Sequence, residues 1–112
     1  MMSETADSAC LIVYTTCDCS DVLRSIAREL VEKSLAACCQ ISGPVASVYS
    51  WQGQTEVAEE YLCSFKTTRR AYPKLEAELL RLHPYDEPEI VALEINAGSA
   101  GYLSWLATAA AG

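Results

Sequence analysis

Val45-Ala46-Ser47-Val48-Tyr49-Ser50-Trp51, then Gln52-Gly53, then Thr55 to Thr68 decides the fold of this chain. The first arm carries β-branched and aromatic residues at alternate positions. The second puts Val57, Tyr61, Cys63 and Phe65 on one face. Alternation of this kind favours strands, and the dipeptide between the arms reads as a tight turn. A twelve-residue strand spans about 40 Å at ~3.3 Å per residue. A compact domain of this length has a radius of gyration of roughly 13 Å. One small domain does not cover such a hairpin along its whole length, so the tip is expected to lie against something else, most simply another copy of the chain.

Working outward, Ala9 to Thr16 is a short apolar run that reads as a buried strand. Cys17-Asp18-Cys19-Ser20 reads as the connecting loop, with Ser20 or Asp18 as a helix cap. Val22, Leu23, Ile26, Ala27, Leu30 and Val31 recur at helical spacing and predict a helix from about Asp21 to Ser34. Leu35 to Ile41 reads as a strand. Ser42-Gly43-Pro44 then predicts a bend or bulge, because Pro44 cannot donate to a ladder.

Beyond the hairpin, Arg69 to Leu82 predicts a second helix, with Pro73 in its first turn and Leu75, Leu79, Leu80 and Leu82 as its buried stripe. It must end before Pro84. His83-Pro84-Tyr85-Asp86-Glu87-Pro88-Glu89 is a rigid acidic loop, Ile90 to Asn96 a strand, and a last helix follows Gly98-Ser99. Its expected contacts are Tyr102, Leu103, Trp105, Leu106 and Ala109. Residues 1–8 are polar and expected to be a disordered tail, with 9–112 as a single domain.

The order strand, helix, strand, strand, helix, strand, helix gives an α+β, ferredoxin-like split βαβ sandwich. Right-handed crossovers put the first two helices on one face of a four-stranded antiparallel sheet. The other face is expected to be bare. Tyr49, Trp51, Tyr61 and Phe65, or their alternates, would line it, and a bare apolar face predicts association.

The chain has 112 residues, a net charge of −7, six cysteines and one histidine. The negative balance argues against a nucleic-acid binder, which needs a basic surface, and against adsorption to an anionic membrane. No run approaches the ~18 apolar residues of a span. The N-terminus is acidic where a secretory signal would be basic, so a cytoplasmic location is expected. Free thiols are expected in that reducing compartment. Cys10, Cys38 and Cys63 fall inside the expected strands and read as small core residues. The cysteine spacing fits no zinc-finger pattern. No P-loop or dinucleotide-binding glycine pattern occurs, and no organic cofactor is expected. Glu59 and Glu60 alternate across a strand and so cannot act as an acid/base pair. A thiol-dependent reaction would require a Cys-His pair such as Cys17 with His83.

Several stretches together carry a family likeness: Glu32-Lys33-Ser34-Leu35-Ala36-Ala37-Cys38, Tyr49-Ser50-Trp51-Gln52-Gly53, Phe65-Lys66-Thr67-Thr68, the His83 to Glu89 loop, and Tyr102-Leu103-Ser104-Trp105-Leu106. In their order and spacing, from about Cys10 to Leu106, they resemble the CutA family of divalent-cation tolerance proteins. The resemblance implies a homotrimer with hairpins reaching across neighbours. It also implies a non-enzymatic role in tolerance of copper or another divalent metal. The family's likeness in architecture to PII-type signalling proteins implies an alternative, the sensing of a small anionic ligand or a protein partner.

In copper-binding members a cysteine near the end of the first strand joins two adjacent histidines. Those positions match Thr15 or Thr16, with Cys17 just beyond, and Leu82 and His83. Cys17, Cys19 and His83 are therefore the candidate metal ligands. Soft sulfur suits copper or zinc, and a helix N-terminus would lower the thiol pKa values. The resemblance places Lys66 near an intersubunit cleft, with Tyr85 and Glu89 as further candidates there. Tyr49, Trp51, Tyr61 and Trp105 are the expected trimer contacts.

Overall fold

A computed structural model describes residues 9–112, and the expected N-terminal tail lies outside them. The order is β1 (Cys10–Cys17), α1 (Ser20–Glu32), β2 (Cys38–Trp51), β3 (Gln54–Thr68), α2 (Tyr72–Leu82), β4 (Val91–Glu94) and α3 (Ala100–Ala109). The strands form one antiparallel sheet in the order β2-β3-β1-β4, the split βαβ arrangement. Strand β3 pairs with β1 from Thr68 to Tyr61 and then runs on alone with β2. Fifteen residues of β3 at ~3.3 Å each account for the long axis of a body measuring 48 × 26 × 24 Å.

The core lies between the sheet and the first two helices. Val13 and Cys17 of β1 and Cys63 and Phe65 of β3 meet Leu23, Ile26 and Leu30 of α1 and Leu75 and Leu79 of α2. Leu80, expected in that stripe, is 52% exposed. It sits one residue past Leu79, and a step of one on a helix turns the side chain about 100° away. A second cluster of Cys10, Ala37, Leu106 and Ala110 seats α3 where β1 begins. The sheet face opposite α1 and α2 is thus covered at one end rather than bare. Cys38, expected in the core, is only half-buried there, 3.6 Å from the Tyr102 hydroxyl. Tyr102 and Trp105, expected as contacts of the last helix, remain exposed and pack on each other at 5.5 Å.

Local chemistry explains the element ends. Helix α1 begins after Cys19, and neither Ser20 nor Asp18 caps it. It stops at a left-handed Ser34, with the Ser34 N–H donating to Val31 and the Leu35 N–H to Leu30. This Schellman arrangement delays β2 to Cys38 rather than Leu35. Pro73 does lie in the first turn of α2, which starts at Tyr72 rather than Arg69. Gln52 and Gly53 both have positive φ, at 51° and 78°, the type I′ turn that matches strand twist.

The expected irregularity in β2 is a one-residue bulge. Ser42 pairs with Leu62 and Val45 with Glu60, so three steps on β2 match two on β3. Below it, odd residues of β2 share a face with odd residues of β3, as Cys39 does with Phe65. Above it, Tyr49 faces the same way as its partner Glu56. Tyr49 and Trp51 therefore point away from the helices, while Tyr61 and Phe65 point toward them. Phe65, a candidate for the bare face, is fully buried in the core, and Tyr61 packs against it.

Gly43 sits at φ 139° inside the bulge, and a Cβ there would come within 3.0 Å of the Tyr61 ring and 3.1 Å of the Glu60 carbonyl. Gly43→Ala is expected to destabilise the fold by roughly 1–3 kcal/mol, read by chemical denaturation at fixed protein concentration. An unchanged midpoint would show that the bulge does not depend on glycine.

Lys33 and Arg81 each bridge Glu29 of α1 and Glu78 of α2, at 2.6–3.0 Å. Hydrogen bonds from Arg81 and Lys33 lower the Glu78 carboxyl from 4.5 to about 2. A depressed folded-state pKa adds stability that is present above 4.5 and lost as pH falls toward about 2. Denaturation midpoints are expected to fall across that window in the native chain and to fall less in a Lys33→Met/Arg81→Met variant. Equal slopes would remove the network from the acid response.

Candidate functional site

Where β1 ends and β3 continues, the loop after α2 folds over the gap. His83 closes α2, its N–H donating to the Leu79 carbonyl, and Pro84 prevents continuation. The imidazole is buried and fully engaged. Its Nδ1 accepts the Tyr85 N–H at 3.1 Å, which leaves the proton on Nε2, donated to the Thr16 carbonyl at 2.8 Å. The carbonyl it satisfies belongs to a strand end rather than to its own helix. The Tyr85 ring meets His83 edge-on at 4.7 Å. Its hydroxyl donates to Glu60 Oε2 at 2.8 Å. Burial, and then the hydrogen bond to Glu60, push the Tyr85 hydroxyl well above its ordinary range.

These contacts wall a cleft of about 720 Å³ between the acidic loop and the outer face of the hairpin. Asp18, Glu60, Asp86, Glu87 and Glu89 supply carboxyl groups, Tyr49, Trp51 and Tyr85 aromatic walls, and among the described residues no lysine or arginine lines it. The size is that of a small-ligand site. Its charge suits a cation.

The candidate residues fall in different places. Tyr85 and Glu89 share this cleft, and Lys66 does not line it. Lys66 donates to Gln40 Oε1 at 2.7 Å, near the α3 end of the sheet. Cys17 is the last residue of β1 rather than part of a loop, and it is fully buried on the helix side. Burial pushes its thiol up, against the lowering expected of a helix N-terminus. Cys19 is exposed. Both His83 nitrogens are occupied, so within one chain His83 is placed neither to ligate a metal nor to act as base for Cys17. Among the described residues no group of three or more His, Cys, Asp or Glu side chains is placed to hold a metal ion. Of the expected interface residues, Tyr49, Trp51 and Trp105 are exposed to 45–48%.

Glu60, which alternation sets aside with Glu59 as unable to form an acid/base pair, has no place in a site read from the sequence. Its signal was a carboxylate one step off the apolar face of β3, which alternation assigns to solvent. It is instead 7% exposed, because the tyrosine of a loop 25 residues away covers it.

A model of the family described as CutA1 divalent ion tolerance protein matches residues 11–109. The divalent-cation tolerance protein CutA of Thermus thermophilus is 46% identical over 95 residues, covering 85% of this chain and 92% of that one. Mouse protein CutA is 37% identical over 93 residues, 83% of this chain, which spans about half (52%) of the mouse protein. A solved structure of the divalent cation tolerance protein from Thermus thermophilus matches with a TM-score of 0.84 at 45% identity, over 87% of this chain and 94% of that one.

Tyr85→Phe removes the hydrogen bond to a buried carboxyl group and is expected to cost about 1.5–3 kcal/mol in unfolding free energy. Denaturation matching the parent chain would show that Glu60 finds another partner.

Proposed function

Because the chain belongs to the CutA1 divalent ion tolerance protein family, we propose that it is a non-enzymatic cytoplasmic homotrimer. It binds a divalent metal ion, copper foremost, at clefts between subunits and contributes to tolerance of such ions. The observation that carries this reading is the acidic cleft beneath the hairpin, lined among the described residues by five carboxyl groups and no basic side chain. Carboxylates of this kind attract a cation and repel an anionic metabolite, which sets the metal reading above anion sensing.

The hairpin supports assembly. Above the bulge most of its residues are exposed, and the acidic loop faces its outer side across the cleft. Val48 is 67% and Val57 71% exposed on the helix side, while Tyr49 and Trp51 are half-exposed on the other. An arm apolar on both faces gains by insertion between neighbours, since burying apolar area yields about 25 cal/mol per Å². A second chain would also finish the wall of the cleft. Cys17, Cys19 and His83 do not form a metal site by themselves in one chain. The carboxylates of one chain do not converge on an ion either, so the proposed site takes carboxylates of the cleft from more than one subunit, with exposed Cys19 as the available thiol.

Gel filtration with light scattering is expected to give a trimer, and a monomer at micromolar concentration would overturn the assembly. Titration with copper and zinc is expected to show saturable binding. Asp18→Asn/Glu89→Gln should weaken it at least about tenfold, equivalent to ~1.4 kcal/mol. Loss of affinity only in Cys19→Ser would move the site to the thiol. Absence of saturable binding by either metal would overturn the reading.

A further inference from the structure

Two cysteines outside the cleft stand side by side on the helix side of the sheet. Cys39 of β2 lies opposite Phe65, and Cys63 of β3 opposite Ile41, so the two are diagonal neighbours on one face. Their sulfur atoms are 2.9 Å apart, and both are free thiols. Diagonal pairs in a sheet commonly hold their Cα atoms about 7–8 Å apart, at the edge of disulfide reach. A bulge increases local strand twist, and this one begins three residues after Cys39. The side chains converge.

The pair is asymmetric. Cys63 is fully buried, whereas Cys39 lies on the outermost strand and is partly open to solvent. The hydrogen bond from the Cys63 thiol, with help from the Lys66 charge, lowers the Cys39 thiol against the effect of burial. The same hydrogen bond, followed by burial, raises Cys63. One sulfur is thus reachable and stabilised as the anion, and a second waits within contact behind it. That is the arrangement of an attacking and a resolving cysteine. Cys38, the neighbour in sequence, points to the opposite face toward the Tyr102 hydroxyl at 3.6 Å and cannot take the resolving part.

We propose that Cys39 and Cys63 form a reversible thiol–disulfide site whose oxidant is a small, low-molecular-weight disulfide. The Cys39 thiolate attacks one sulfur of that disulfide, its S–S bond breaks, and one small thiolate leaves and takes up a proton. Cys63 then attacks the Cys39 sulfur of the mixed disulfide, and its proton passes to the small thiolate that leaves. The Cys39–Cys63 bond forms as the second small thiol departs. Two protein thiols are oxidised and one disulfide is reduced to two thiols. The closed form staples β2 to β3 just below the bulge, at the foot of the arm. This site is independent of the metal reading, because neither sulfur lines the acidic cleft.

The test uses the native chain in glutathione buffers spanning reduced to oxidised, with acid quenching, alkylation and peptide mapping by mass spectrometry. A Cys39–Cys63 cross-linked peptide is expected to appear with oxidation and to vanish when reduced glutathione is restored. In Cys63→Ser the reaction should stop at glutathione on Cys39, and that adduct should outlast the native one at least about tenfold. Alkylation of both cysteines at every ratio, or a bridge from Cys39 to any other cysteine, would overturn the proposal. So would an adduct on Cys39 that persists equally in the native chain. The native map decides the matter if the variant fails to fold.

Discussion

One extra residue at Ser42-Gly43-Pro44 governs this structure. A strand alternates its side chains strictly between two faces, so an insertion inverts every assignment beyond it. Below the bulge β2 gives Cys39 and Ile41 to the core. Above it the same odd phase sends Tyr49 and Trp51 away from the helices. The inversion does two things at once. It places aromatic walls over Glu60, and it turns Val48 to the helix side beside its β3 partner Val57, where both are exposed. The hairpin thereby becomes an arm without a dry face of its own.

Much of the fold was legible because its cues are local. Apolar runs, alternation and helical spacing located the strands and helices, with β4 shorter than its expected span of Ile90 to Asn96. Pro84 marked the end of α2, and Gln52-Gly53 gave the turn. The bulge too was announced by Pro44, but its parity was not, because composition says nothing about how many residues the partner strand advances. That is why Phe65 was a candidate for the outer face and proved to be core. Leu80 was misassigned because four leucines in one helix cannot all lie on a single stripe. The delayed start of β2 came from a helix stop at Ser34, a left-handed position that a serine does not advertise.

The site was less legible because its contacts join distant segments. Nothing in the sequence pairs Tyr85 with Glu60, or His83 with the Thr16 carbonyl. Those bonds arise because β1 stops at Cys17 while β3 continues, and a loop braced by Pro84 and Pro88 fills the step. Cys17 and His83, read as donors from their chemistry, serve the joint itself: one buried in the core, the other spending both nitrogens on backbone groups. The carboxyl groups around the step, and not the soft ligands, give the cleft its character. The two thiols in contact lie elsewhere, on the helix side, where the twist near the bulge brings them together.

The placement of the tryptophans has an optical consequence. Trp51 rides the hairpin tip and Trp105 the outer side of α3, each about half-exposed, and the core contains neither. Indole emission responds to the polarity around the ring. The intrinsic fluorescence of this chain is therefore poorly suited to following its core and well suited to following whatever closes over its surface. A blue shift on mixing or concentrating would report contact at the arm or at α3, while the packed interior stays dark to the measurement.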